Sequence, residues 1–125
     1  MTTALAVVVG GGLGAFARYR LEGLIAPRQR TPFPLSTLVI NVSGSTALGA
    51  MVAAVTAGHL STAALSLLGT GFLGGYTTFS TFTYETLRLI EDGAWRYVVL
   101  NLLLSGPLSF GGAAIAFVAV RSSFR

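Results

Sequence analysis

The sequence predicts an all-α membrane protein of four transmembrane helices, on three observations. Of its 125 residues 53% are hydrophobic and only 10% charged, whereas soluble domains carry about 25% charged residues. The apolar residues run in long continuous stretches of the length that crosses a hydrocarbon core, not in the short alternating segments of a barrel. Turn and polar signals separate these stretches into spans of about 4–26, 35–57, 61–90 and 94–121, which fill one domain over residues 1–125.

The first span opens on Met1-Thr2-Thr3 and runs apolar from Ala4 to Ala17. Ala15-Phe16-Ala17 imitates a signal-peptidase site, but no basic residues precede the apolar run, so an uncleaved span is expected. Gly10, Gly14, Arg18 and Glu22 recur at i+4 and so share one helical face. That spacing puts Arg18 near the membrane boundary with Glu22 as a possible partner, either as an interfacial ion pair or as part of an electropositive vestibule.

Pro27-Arg28-Gln29-Arg30-Thr31-Pro32-Phe33-Pro34 breaks the chain before the second span, where Thr37, Asn41, Ser45 and Gly49 again fall at i+4. Small hydroxyl residues at such positions commonly glue helices together. Asparagine is different, because an unpartnered amide in hydrocarbon costs several kcal/mol and must face protein, water or a ligand. The fourth span repeats the device with Asn101, Ser105 and Ser109, followed by Ala113. Neutral hydroxyl and amide donors on these tracks can solvate an anion weakly enough to release it.

The third span, entered through Gly58-His59 and left through Glu91-Asp92-Gly93, is predicted to be broken near its middle. Gly69, Gly71, Gly74 and Gly75 each weaken a helix, and the β-branched Thr77 and Thr78 follow. Carbonyls freed by such a break are natural ligands for a small hard cation. Beyond it, Phe79 and Phe82 share a helical face three residues apart. They serve as packing, or they offer an anion the electropositive edges of their rings.

Several functions are excluded. With no cysteine and a single His59, neither a thiolate nor a histidine metal cluster can form. No carboxylate lies deep in a span, and no paired catalytic carboxylates or serine triad can be assembled, so enzymatic catalysis is not expected. The net charge of +4 resides entirely on arginines, but no soluble domain remains to present a nucleic-acid-binding patch. Arg18, Arg20, Arg28, Arg30, Arg88 and Arg96 would lie on one side of the membrane and Arg121 and Arg125 on the other. The positive-inside rule alone would put both termini outside, but Arg18 lies partly inside the first span and Glu22, Glu85, Glu91 and Asp92 accompany the larger group, so the count does not fix an orientation. Four short helices enclose too little wall for a wet pathway, so a homodimer is expected.

Three stretches carry a resemblance. They are Gly74-Gly75-Tyr76-Thr77-Thr78-Phe79-Ser80-Thr81-Phe82, Gly11-Gly12-Leu13-Gly14-Ala15-Phe16-Ala17-Arg18-Tyr19, and Phe33-Pro34-Leu35-Ser36-Thr37-Leu38-Val39-Ile40-Asn41-Val42-Ser43-Gly44. In that order they closely resemble the Fluc (CrcB) fluoride channels over essentially the whole chain. The resemblance implies a passive, fluoride-selective channel of the bacterial plasma membrane that exports fluoride through two pores of an antiparallel dual-topology dimer. Phe79 and Phe82 look like the family's phenylalanine box, and Asn41 like its pore-lining asparagine. Ser109 with Ser105, and Thr37, match its polar tracks. Arg18 fits its vestibule arginine, and Gly74 and Thr77 match positions whose carbonyls hold a central structural Na⁺. The partner is then a second copy in opposite orientation, or a paired homologous chain, since some relatives occur as such pairs. Two other readings, a small drug/H⁺ antiporter and a non-transporting helper subunit, lack respectively a membrane-embedded carboxylate in the first span and a use for the polar stripes.

Overall fold

No proline interrupts the largely apolar sequence between Thr2 and Ile25, and in the computed structural model, which describes residues 2–124, it forms α1 (Thr2–Ile25). Pro27 ends it in a 3₁₀ turn, Ala26–Arg28. Pro34, at φ −78°, precedes α2 (Leu35–Thr56), and the Ser36 amide donates to Gln29 Oε1 at 2.9 Å, fixing the loop to the new helix.

The two later turns of the chain close in the same way. Gly58 (φ 77°) follows α2, its amide donating to Val55 while that of His59 donates to Ala54. Gly93 (φ 69°) follows α5 (Phe79–Glu91), with Gly93 donating to Ile90 and Ala94 to Leu89. This double closure satisfies the last carbonyls of a helix and needs a left-handed residue that only glycine adopts without strain.

The third segment is subdivided. Ser61 Oγ caps α3 (Thr62–Ala64) by accepting from the Ala64 amide at 3.1 Å. The chain then widens into a π-helical stretch, Leu65–Leu73, and narrows again in α4 (Gly74–Tyr76). Thr77 (ψ 157°) and Thr78 (φ −147°, ψ 124°) are extended, and α5 starts at Phe79. The glycines expected to weaken this helix all remain helical; the extended residues are the two threonines after them.

The reason lies in packing. α1 runs against the π-helical stretch and α4, while α2 runs along α6 (Trp95–Ser123). A Cβ on Gly10 would strike the Leu67 carbonyl, one on Gly14 the Phe72 carbonyl, and one on Gly75 the Gly11 carbonyl. Glycines at four-residue spacing on both partners therefore let the backbones touch, the usual basis of tight helix association in lipid. On the other seam a Cβ on Gly49 would strike the Ala113 carbonyl.

Among the described residues there is no strand, and three helices are long and apolar enough to cross a membrane: α1 with its terminal turn, α2 and α6. They fall within a few residues of three of the predicted spans. The buried side chains include as many polar ones (Ser36, Thr37, Thr78, Asn101, Ser105) as apolar ones, whereas Leu13, Phe16, Leu103, Ile115 and Val118 face outward. That inversion suits a multi-pass protein whose solvent is hydrocarbon.

Candidate functional site

The extended threonines create a supply problem that Asn41 solves. Thr78 is 7% exposed, and a buried extended residue has no helical partner for its backbone groups. Asn41 on α2 supplies both partners: its Nδ2 donates to the Thr78 carbonyl and its Oδ1 accepts from the Thr78 amide, each at 2.8 Å. The Thr78 hydroxyl in turn caps α5, accepting from the Thr81 amide at 3.2 Å.

These two bonds leave the carbonyls before the break without their helical donors. The Thr78 amide that would serve Gly74 goes to Asn41, and the Thr81 amide that would serve Thr77 goes to Thr78 Oγ1. Arg18 takes up part of the deficit, its Nη1 lying 3.3 Å from the Thr77 carbonyl. The structure thus turns Arg18 toward the Thr77 carbonyl, whereas its i+4 spacing had offered Glu22 as one partner.

Asn41, Ser45, Thr77, Thr78, Phe79, Phe82, Ser105 and Phe110, with Gly106, surround a cavity of about 350 Å³. The Phe79 and Phe82 ring centroids are 5.9 Å apart at 36°, a tilted pair, and Phe79 is 79% exposed in the single chain. Of the sequence-predicted residues, Asn41, Thr77, Phe79, Phe82 and Ser105 meet here. Ser109 lines a neighbouring cavity of about 390 Å³ with Ser45, Gly49, Phe110, Ala113 and Phe117.

Thr37 lines neither cavity. It is 2% exposed and lies against the Glu85 carboxylate of α5, whose Oε2 is buried without a hydrogen-bond partner. Gly74 is exposed on the side of the break.

A second polar chain supports the wall. Ser105 Oγ donates to Asn101 Oδ1 at 2.8 Å, Asn101 Nδ2 donates to Thr86 Oγ1 at 2.9 Å, and Thr86 Oγ1 donates to the Phe82 carbonyl at 2.7 Å. Asn101 is fully buried, so this chain ties α6 to the backbone that carries the Phe82 ring. Sequence reasoning placed Ser45 on a polar stripe and Thr78 at the break without assigning either to the site, and it passed over Phe110, which with Ser45 lines both cavities. Ser45 was visible in the i+4 stripe below Asn41; nothing in the pattern marks Phe110.

Over residues 5–119 the chain matches the family described as CrcB-like protein, Camphor Resistance (CrcB). It is 46% identical, over 110 residues covering 88% of this chain and 75% of the relative, to a Nocardia farcinica protein named fluoride-specific ion channel FluC 1. A Geobacter sulfurreducens protein named fluoride-specific ion channel FluC is 43% identical over 122 residues, 97% of this chain and 98% of that one. A Shewanella frigidimarina protein of the same name is 42% identical over 108 residues, 86% and 87% of the two chains. With a match over nearly its full length, in an all-helical fold with three helices apolar enough to cross a membrane, this chain belongs to the CrcB family.

Proposed function

We propose that the chain is a passive, fluoride-selective channel, not an enzyme, that lets fluoride leave the cell. The observation that carries this reading is the identity to FluC proteins across almost the whole of both chains. The geometry is suited to the task. The cavity beside the break presents neutral groups and phenyl rings, and ring edges and hydroxyls attract a small anion without the trapping strength of a fixed charge.

In this reading the segment 61–90 also crosses the membrane, as the third of four spans and in two halves around Thr77 and Thr78, and two chains assemble antiparallel with two pores. The exposed Phe79 and Phe110 rings support a partner chain over this face. A second copy is the preferred partner, and a paired homologue of opposite orientation the alternative. Arg18, Asn41, Phe79, Phe82, Ser105 and Ser109 border the fluoride path, with Thr37 at its far end.

Gly74 and Thr77 would hold a Na⁺ at the dimer centre. Their carbonyls fit, because both have lost their helical donors and neutral oxygens suit a hard monovalent cation. Bound there, the ion would neutralise carbonyl dipoles; the Arg18 contact to Thr77 would have to loosen. A melting temperature in detergent that rises with Na⁺ and not with choline is expected, and equal curves with both cations would refute the site.

The functional test uses the purified chain alone in liposomes loaded with potassium fluoride or potassium chloride. Fluoride is expected to escape when potassium is released by an ionophore, and chloride to stay. Equal efflux of the two would end the selectivity claim, and no fluoride efflux would favour a missing paired chain. A pH gradient that drives flux would point to an antiporter.

A further inference from the structure

Ser45 and Phe110 are the residues shared by the two cavities. One cavity is bounded by Asn41, Phe79 and Phe82 and the other by Gly49, Ser109 and Phe117. These two side chains therefore stand where the two cavities meet along α2 and α6. The close seam of Gly49 against Ala113 forms the floor beyond them.

Ser45 is also set apart by its hydrogen bonding. Hydroxyls in a helix ordinarily donate back to a carbonyl three or four residues earlier. On α2, Ser43 does so to Ile40 at 3.1 Å, Thr46 to Val42 at 2.7 Å and Thr56 to Ala53 at 2.9 Å. Ser45 makes no such bond among the described residues, and neither does Ser109 in the second cavity. The other polar side chains of the first cavity are engaged, Asn41 with the Thr78 backbone and Ser105 with Asn101. An uncommitted donor therefore stands at the junction, opposite a phenyl ring that is 80% exposed in the single chain.

We propose that Ser45 and Phe110 form the passage that joins the two cavities into one anion path. The Ser45 hydroxyl donates to the anion as it leaves the Phe79–Phe82 pair, and the Phe110 ring walls the junction before Ser109. This rests on the reading of the chain as a channel for a small anion.

The chain has no cysteine, so Ser45→Cys and Phe110→Cys each introduce a single thiol. The assembled variants are treated with the hydrophilic reagent sulfonatoethyl methanethiosulfonate, labelling is read by mass, and fluoride efflux is compared before and after in the same sample. His59→Cys, in the exposed turn after α2, is the control that labels without loss of flux. Both junction variants are expected to label fully, with fluoride efflux falling about ten-fold or more, since a path of this width cannot conduct past a bulky anion. Full labelling with unchanged flux, or no labelling of either thiol in the assembled protein, overturns the proposal. Because mass reports labelling whether or not fluoride flows, failure of the untreated chain to conduct fluoride is a separate result and counts against the channel reading itself.

Discussion

Asn41 pairs with Thr78 as one strand residue pairs with another, giving and taking a hydrogen bond of 2.8 Å on the same peptide backbone, although it does so with a side chain. Replacing it by alanine strands two backbone groups of a residue only 7% exposed, at about 1–3 kcal/mol for each group. Asn41→Asp should be worse, because a carboxylate oxygen would face the Thr78 carbonyl where an amide now donates. Unfolding in detergent micelles is expected to give the order wild type, Asn41→Ala, Asn41→Asp. Equal stability of all three would mean that water or another chain supplies those bonds.

The seam between α1 and the third segment predicts a contrast among glycines. Gly14→Ala and Gly75→Ala each drive a methyl into a backbone carbonyl that cannot retreat, an overpacking of about 1–3 kcal/mol. Gly12→Ala meets nothing within 4 Å and should be neutral or stabilising by up to about 1 kcal/mol through helix propensity. The same unfolding measurement separates them. A destabilised Gly12→Ala alongside an unaffected Gly14→Ala would reverse the assignment of faces.

Phe79 is 79% exposed in the single chain, so Phe79→Ile should leave the fold of that chain intact while removing a ring edge from the cavity. Fluoride efflux is expected to drop about ten-fold or more for Phe79→Ile and Phe82→Ile, as for loss of a favourable contact at a narrow site. Wild-type efflux from both variants would take the rings out of the path.

Asn101 is buried and joins Ser105 to Thr86. Asn101→Ala opens a gap and leaves the Thr86 hydroxyl and the Ser105 donor to find new partners, a loss of about 2–4 kcal/mol. Thr86→Val, which keeps the shape, should cost less. If Thr86→Val proves the more damaging, the chain of bonds is not what holds α5 to α6.

Three helices and the polar stripes were legible in the sequence because the signals are local: apolar runs of spanning length, proline and glycine at the turns, and asparagine at i+4 from hydroxyls. The third segment was less so. Four glycines look like weakness in a sequence, yet Gly71 and Gly75 are where α1 touches, and the helix gives way two residues later at Thr77. That displacement depends on Asn41, which is 37 positions away from Thr78. The contact of Arg18 was hidden for a similar reason, since its spacing from Glu22 is local while its bond to the Thr77 carbonyl spans 59 positions. Of the cavity residues, those on a stripe were found, and Phe110, defined only by two neighbouring voids, was not.

The π-helical stretch has a bearing on how such chains can vary in length. Winding with five-residue closure, as where the Gly74 amide reaches the Gly69 carbonyl, uses more residues for each turn than an α-helix. The stretch Leu65–Leu73 thus stores spare chain within a helix whose two ends are pinned, by Ser61 at one end and the Asn41–Thr78 pairing at the other. A one-residue deletion there can be absorbed by rewinding toward α geometry, whereas the same deletion in α2 would rotate Ser45 away from Asn41's face. Length changes among related sequences should therefore collect between Ser61 and Gly74 and avoid α2.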